Sequence, residues 1–178
     1  MIRASVFVGV SVDGFLARPD GTFDFLDAGG GEPHGFEEFM ATVDVLLMGR
    51  MTYEVVRAFS EWPYGETPVF VLSTKTLPPD ERIERIEGAP QAVLAALEAR
   101  GFGHVYVDGG LTIQGFLRAG LIDRMVVTRV PVLIGTGIPL FGPTGKDILL
   151  HHVSTQTYPA GLVQSTYSLK FVPIVADM

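Results

Sequence analysis

Two strand-like runs in this chain turn into helices with almost no loop between them. In "LLMGRMTYEVVRAF" (46–59) an apolar run ends at Gly49, and Met51, Val55 and Phe59, with Val56 beside them, then form a helical stripe. In "HVYVDGGLTIQGFLRAG" (104–120) a β-branched run ends at Asp108-Gly109-Gly110, and a helical pattern follows to Gly120. A strand that feeds a helix directly leaves few ways to continue. The helix folds back over the sheet and the next strand runs parallel to the first.

The same alternation holds through the first 120 residues. Strands are expected over 4–12, 43–49, 67–74 and 104–110, with a short edge strand over 82–88. Helices are expected over 36–43, 50–59, 89–101 and 111–120, and 27–35 reads as a mobile glycine-rich loop. The last third is β-only: a long strand over 122–135, then a hairpin over 149–172 that turns at Pro159-Ala160-Gly161. The expectation is one α/β domain over 1–178, with a mostly parallel central sheet and an antiparallel C-terminal hairpin. No internal repeat and no linker is evident.

Composition narrows the function. Lys and Arg total 13 against 20 Asp and Glu, a net charge of −7, and no basic cluster stands out, so nucleic acid is not an expected partner. Helix N-termini and local cations can still bind a small anion within an acidic chain. The absence of cysteine excludes disulfides, thiolate catalysis and cysteine-ligated metals. His34, His104, His151 and His152 show no metal-ligand spacing, so no metal is expected. No apolar run approaches the ~20 residues of a membrane span. The first residues read as a strand rather than a signal peptide, and a cytoplasmic protein is expected.

Open α/β sheets bind ligands at the carboxyl ends of their strands. Four such ends carry suggestive residues: Ser11-Val12-Asp13-Gly14, Gly49-Arg50-Met51-Thr52, Ser73-Thr74-Lys75 and Asp108-Gly109-Gly110-Leu111-Thr112. Gly49 and the Gly109-Gly110 pair would let a ligand approach the backbone. Arg50 offers a fork of donors suited to phosphate, and Ser73, Thr74 and Lys75 suit a phosphate monoester. Each stretch alone reads equally as a turn or a helix start, and neither a strict Gly-x-Gly-x-x-Gly nor a P-loop is present. Acid–base candidates are Asp13, Asp24, Asp27, Glu32, His34, Glu37 and Glu38.

Taken in order, "SVDGFLARPDGTFDFL", "LLMGRMTYE", "VFVLSTK", "VYVDGG…FLRAGLIDRMVV" and "PVLIGTGIPLF" resemble the dihydrofolate reductase-like superfamily from about Met1 to Phe171. The likeness is greatest to the reductase domain of riboflavin biosynthesis and its stand-alone relatives. The resemblance implies a three-layer fold and an NADPH-dependent reductase of a small heterocyclic substrate, acting on a C=N or C=O bond. It implies that Gly49, Arg50 and Thr52 hold cofactor phosphates, and that Ser73, Thr74 and Lys75 lie near the adenosine 2′-phosphate. It places a cis peptide at Gly109–Gly110, with Leu111, Thr112 and Ile113 presenting N–H groups to the pyrophosphate. It puts the backbone of Val10 against the nicotinamide and makes Asp13 a substrate-side, proton-donating candidate. The first helix offers no clean match for the acid that binds the pterin in dihydrofolate reductases, and the lone Trp62 lies elsewhere. That departure keeps a rival reading open, an NADP(H)-binding sensor or carrier without turnover. A homodimer is expected, since relatives of this type are often dimeric, with the apolar "FVGV" and "LIDRMVVTRVPVLIG" strands as its edge.

Overall fold

The computed structural model describes residues 1–31 and 33–170; Glu32 and the last two residues of the expected hairpin, 171–172, lie outside the described residues. The strands are β1 (Arg3–Ser11), β2 (Phe15–Ala17), β3 (Val45–Gly49), β4 (Val69–Leu72), β5 (Ile83–Ile86), β6 (His104–Asp108), β7 (Arg124–Val130), β8 (Ile138–Pro139), β9 (His151–Thr157) and β10 (Val163–Ser168). The helices are α1 (Phe36–Met40), α2 (Arg50–Val56), α3 (Pro90–Ala99) and α4 (Gly110–Arg118).

Eight strands form one sheet in the order β5-β4-β3-β6-β1-β7-β10-β9, and β2 pairs with β8 in a small separate ribbon. From β5 to β7 every pairing is parallel, and β10 joins antiparallel to both β7 and β9. Alternation along each strand divides the side chains between two cores. Val6, Val8, Leu47, Val105 and Val107 meet Leu97 of α3 and Ile113 and Phe116 of α4. Phe7, Leu46, Met48 and Tyr106 meet Phe39 of α1 and Tyr53 of α2 on the other face. The three layers follow from period-two strands covered on both faces.

The structure corrects three expectations. The long strand over 122–135 stops at Val130, because Pro131 has no N–H to donate and Val132 N turns back to Val130 O at 2.7 Å. The expected mobile loop over 27–35 begins inside a docked 3-10 helix, Asp24–Gly29, in which Phe25 and Gly29 are buried. A Cβ on Gly29 would stand 2.9 Å from a methyl of Leu162, so glycine there answers a close approach. Neither strand proposed as a dimer edge is an edge. β1 lies between β6 and β7, and β7 between β1 and β10; their apolar character comes from burial on both faces.

At the amino ends of the strands, His104 is buried, with Nδ1 2.7 Å from Thr42 O and Nε2 2.8 Å from Ser5 Oγ. Burial lowers its pKa below the ordinary histidine value. The unfolded chain therefore takes up a proton first as the pH falls, and stability present above about pH 6.5 is lost as the pH drops toward the lowered folded value. Thermal unfolding of His104→Gln is expected to show a shallower loss of midpoint between pH 7 and pH 5 than the wild type. Equal slopes would show that His104 does not carry this acid sensitivity.

Candidate active site

The ladder between β1 and β6 runs only from Arg3↔His104 to Ser5↔Tyr106, although β1 continues to Ser11 and β6 to Asp108. β6 stays paired with β3 as far as Met48↔Asp108, and β1 stays paired with β7 as far as Ser11↔Val130. The sheet therefore opens between β1 and β6 at the carboxyl ends of its parallel strands. A topological switch lies at the same place, since the chain leaves β1 to build one side and returns to add β7 on the other. Tyr106 Oη donates to Phe7 O at 2.8 Å, where β6 no longer pairs with β1.

Asp108 ends β6 beside this opening. Its Oδ1 accepts from Gly109 N at 2.8 Å. Burial pushes its pKa up to about 6, and the Gly109 hydrogen bond only partly offsets that. Its charge also helps to hold Tyr64 and Tyr106 above the ordinary tyrosine value, after burial itself. Sequence reading placed Asp108 in a strand-end motif but did not count it among the acid–base candidates. Its two-residue spacing from buried Tyr106 was the available signal that it shares an inward face.

The Gly109–Gly110 bond is trans; the described residues contain no cis peptide. Gly109 reaches the helix instead through φ +93°, a conformation open to glycine. Both glycines are buried, and what lies against them is protein. A Cβ on Gly109 would collide with Thr52 Oγ1, and one on Gly110 would stand 3.1 Å from Pro139 O and 3.3 Å from Ile138. The β2–β8 ribbon, with Leu16 and Ile138, thus lies over the start of α4.

The predicted donors separate on inspection. Neither α2 nor α4 has a side-chain cap at its N-terminus, so first-turn N–H groups have no intrahelical acceptor. Ile113 is a correction: its N–H donates to Gly109 O at 2.8 Å, because it already lies one full turn into α4. Leu111 and Met51 are exposed, and Thr112 is buried. Val10 is buried, with its side chain in the α3–α4 core and its backbone paired with Arg129. Arg50 is ion-paired with Glu54. Ser73 Oγ is spent on a turn, accepting from Lys75 N at 3.0 Å and donating to Lys75 O at 2.9 Å. That turn leaves Thr74 and Lys75 exposed. Arg85 of the neighbouring β5 donates to Ser73 O at 3.0 Å and brings a further cation to this strand end. Sequence reading missed Arg85, since only the β4–β5 pairing carries it there.

Asp13 is engaged elsewhere. Its carboxylate accepts from Gly135 N at 2.7 Å and Ile134 N at 3.3 Å, tying the loop after β7 to the loop after β1. The hydrogen bond with Ser11, then those loop amides, hold its pKa below the usual carboxylate value. An acid kept ionised is a poor proton donor. Asp24 pairs with Arg18, and Glu37 and Glu38 are exposed on α1. Glu38 reaches a separate cleft of about 250 Å³ between α1 and β7-β10-β9, which includes none of the strand-end residues, and His34 sits against Phe7 at 5.8 Å between ring centroids. Among the described residues no group of acids and histidines could hold a metal, and no helix is long and apolar enough to cross a membrane.

The split sheet and the order of its strands define a dihydrofolate reductase-like fold, with a candidate site at its strand ends. The sequence matches the RibD C-terminal domain over residues 5–164, and the chain belongs to that family. It is 33% identical over 160 residues to the uncharacterized protein YwjB of Bacillus subtilis, covering 88% of this chain and 92% of that one. A putative riboflavin biosynthesis protein from Shewanella sp. PV-4 superposes with a TM-score of 0.89 at 38% identity, covering 96% of this chain and all of that one (100%). Dihydrofolate reductase from Enterococcus faecalis, solved with NADP(H), shares the fold with a TM-score of 0.65 at 15% identity, covering 93% of this chain and 95% of that one.

Asp108 connects the site to stability. Because its folded pKa lies above the ordinary aspartate value of 3.8, ionising it costs folded stability as the pH rises from about 4 through about 6. Asp108→Asn is expected to raise the unfolding free energy at pH 8 by on the order of 2 kcal/mol, with the gain shrinking toward pH 4. Denaturant unfolding at the two pH values measures it, and a variant destabilised equally at both would remove the buried-charge explanation.

Proposed function

We propose that this protein is an NADPH-dependent reductase that transfers hydride to a C=N or C=O bond of a small heterocyclic substrate. The observation that carries the reading is the opening between β1 and β6, with Asp108 on its border and cations at the neighbouring strand ends. The donor set fits a dinucleotide phosphate. Lys75, Arg85 and Arg50 bring positive charge to the ends of β4, β5 and β3 in a chain whose net charge is −7. Lys75 has no ion-pair partner among the described residues, and Arg85 and Arg50 are shared with Glu87 and Glu54. These residues would hold the phosphates, Lys75 and Arg85 favouring the form that bears the extra 2′-phosphate.

NADPH, when bound, supplies the hydride. The chain supplies position and a proton. Asp108 is the better proton source than Asp13, because burial keeps its carboxyl protonated up to about pH 6 while Asp13 stays ionised. Gly110, under Ile138 and Pro139, keeps the β2–β8 ribbon close over the site and helps exclude water.

Fluorescence titration of the purified protein with NADPH and NADH tests the nucleotide half. Lys75→Ala is expected to weaken NADPH by about tenfold and leave NADH unchanged, as loss of one charge-assisted contact would. Equal loss for both nucleotides would show that Lys75 does not read the 2′-phosphate. NADPH bound tightly but oxidised with none of a panel of pterins and ribosylaminopyrimidines would favour the carrier reading.

We also propose that two copies associate along β9. Its seven residues are all exposed, none is an acid, lysine, arginine or proline, and among the described residues it is an outer strand of the sheet. Sedimentation equilibrium is expected to give twice the chain mass for the wild type and the single mass for Val153→Lys. A wild-type monomer would overturn this.

A further inference from the structure

The junctions β3–α2 and β6–α4 carry the same spacing, glycine and then threonine three residues on: Gly49-Arg50-Met51-Thr52 and Gly109-Gly110-Leu111-Thr112. The two strands are adjacent and parallel, in register at Met48↔Asp108, so the junctions stand side by side. Each threonine occupies the space that a side chain on the other junction's glycine would need. Thr112 Oγ1 lies 2.7 Å from where a Cβ on Gly49 would be, and Thr52 Oγ1 and Cβ sit over Gly109. Gly49 has φ −75°, which any residue adopts, and among the described residues beyond its chain neighbours only Thr112 lies within 4 Å of its absent Cβ. Glycine at 49 is therefore required by Thr112 and not by backbone conformation.

We propose that Thr52 and Thr112 are paired positioning residues: each fills the other junction's glycine, and this crossed packing sets the separation of the β3 and β6 ends on which the nucleotide affinity of the site depends. The inference rests on the nucleotide reading above. It gives both glycines a role different from ligand contact. It also predicts that the clasp can be built in the opposite sense, with a methyl group on residue 49 replacing the γ atom of residue 112.

Four variants test it: Thr112→Ala, Gly49→Ala, Gly49→Ala with Thr112→Ala, and Gly49→Ala with Thr112→Val. Thermal midpoint and NADPH dissociation constant are read for each. Thr112→Ala, a helix-compatible change, is expected to stay folded and to weaken NADPH by about tenfold through loosened strand ends. Gly49→Ala alone is expected to lose both midpoint and affinity. Adding Thr112→Ala to Gly49→Ala is expected to recover most of both. Adding Thr112→Val instead is expected to recover neither, since valine keeps a γ carbon in the obstructing place. A Thr112→Ala variant that binds NADPH as tightly as the wild type would overturn the proposal. So would a double alanine variant that regains its midpoint but not its affinity, which would make the clasp packing alone. Failure of the wild type to bind NADPH would instead overturn the nucleotide reading, and the role given to the clasp with it, while the midpoints still report whether the packing is reciprocal.

Discussion

Where β1 parts from β6, past Ser5 and Tyr106, the sheet stops being a continuous hydrogen-bonded surface, and the site is organised around that opening. Backbone polar groups left unpaired inside a protein are costly, so the gap must be furnished. Tyr106 Oη takes one such carbonyl, Phe7 O. Asp108 stands at the rim with a carboxyl that burial keeps hard to ionise. The β2–β8 ribbon lies over the start of α4, and Asp13 ties the loop after β1 to the amides of Ile134 and Gly135 in the loop after β7. Rearranging any of these would change the shape of the opening.

The opening is held by strong packing elsewhere. Two separate apolar cores, one under α3 and α4 and one under α1 and α2, bury the two faces of the parallel strands. That rigid frame lets the molecule keep a half-buried acid with a raised pKa and several cations at the strand ends, features that contribute little to stability or oppose it. Such local costs are a common property of functional sites. By contrast, His104 at the amino ends is fully hydrogen-bonded and serves the frame.

Much of the frame was legible in the sequence. Val45–Gly49, Val69–Leu72 and His104–Asp108 are strands because doubly buried parallel strands need continuous apolar runs, and such runs are visible one residue at a time. The hairpin at Pro159-Ala160-Gly161 was readable because Gly161 must take φ +83°. The site was readable only as a set of strand ends. Which end faces which depends on strand order, a long-range property. That is why the sequence does not reveal that Arg85 reaches the end of β4, that Asp13 ties two loops together, or that apolar β1 and β7 are central strands. The repeated Gly-x-x-Thr spacing went unnoticed because it has no meaning until β3 and β6 are known to be neighbours.

By itself the sequence determined the class of fold, the alternation of strands and helices, and the glycines where each strand turns into a helix. Those are local matters, set by side-chain periodicity and by the backbone angles a residue can adopt. The tertiary structure alone decided what the glycines are for. Gly49 and Gly109 prove to be filled by each other's threonines, and the Gly109–Gly110 peptide is trans. Such contacts join residues about sixty positions apart, and only folding brings them within reach.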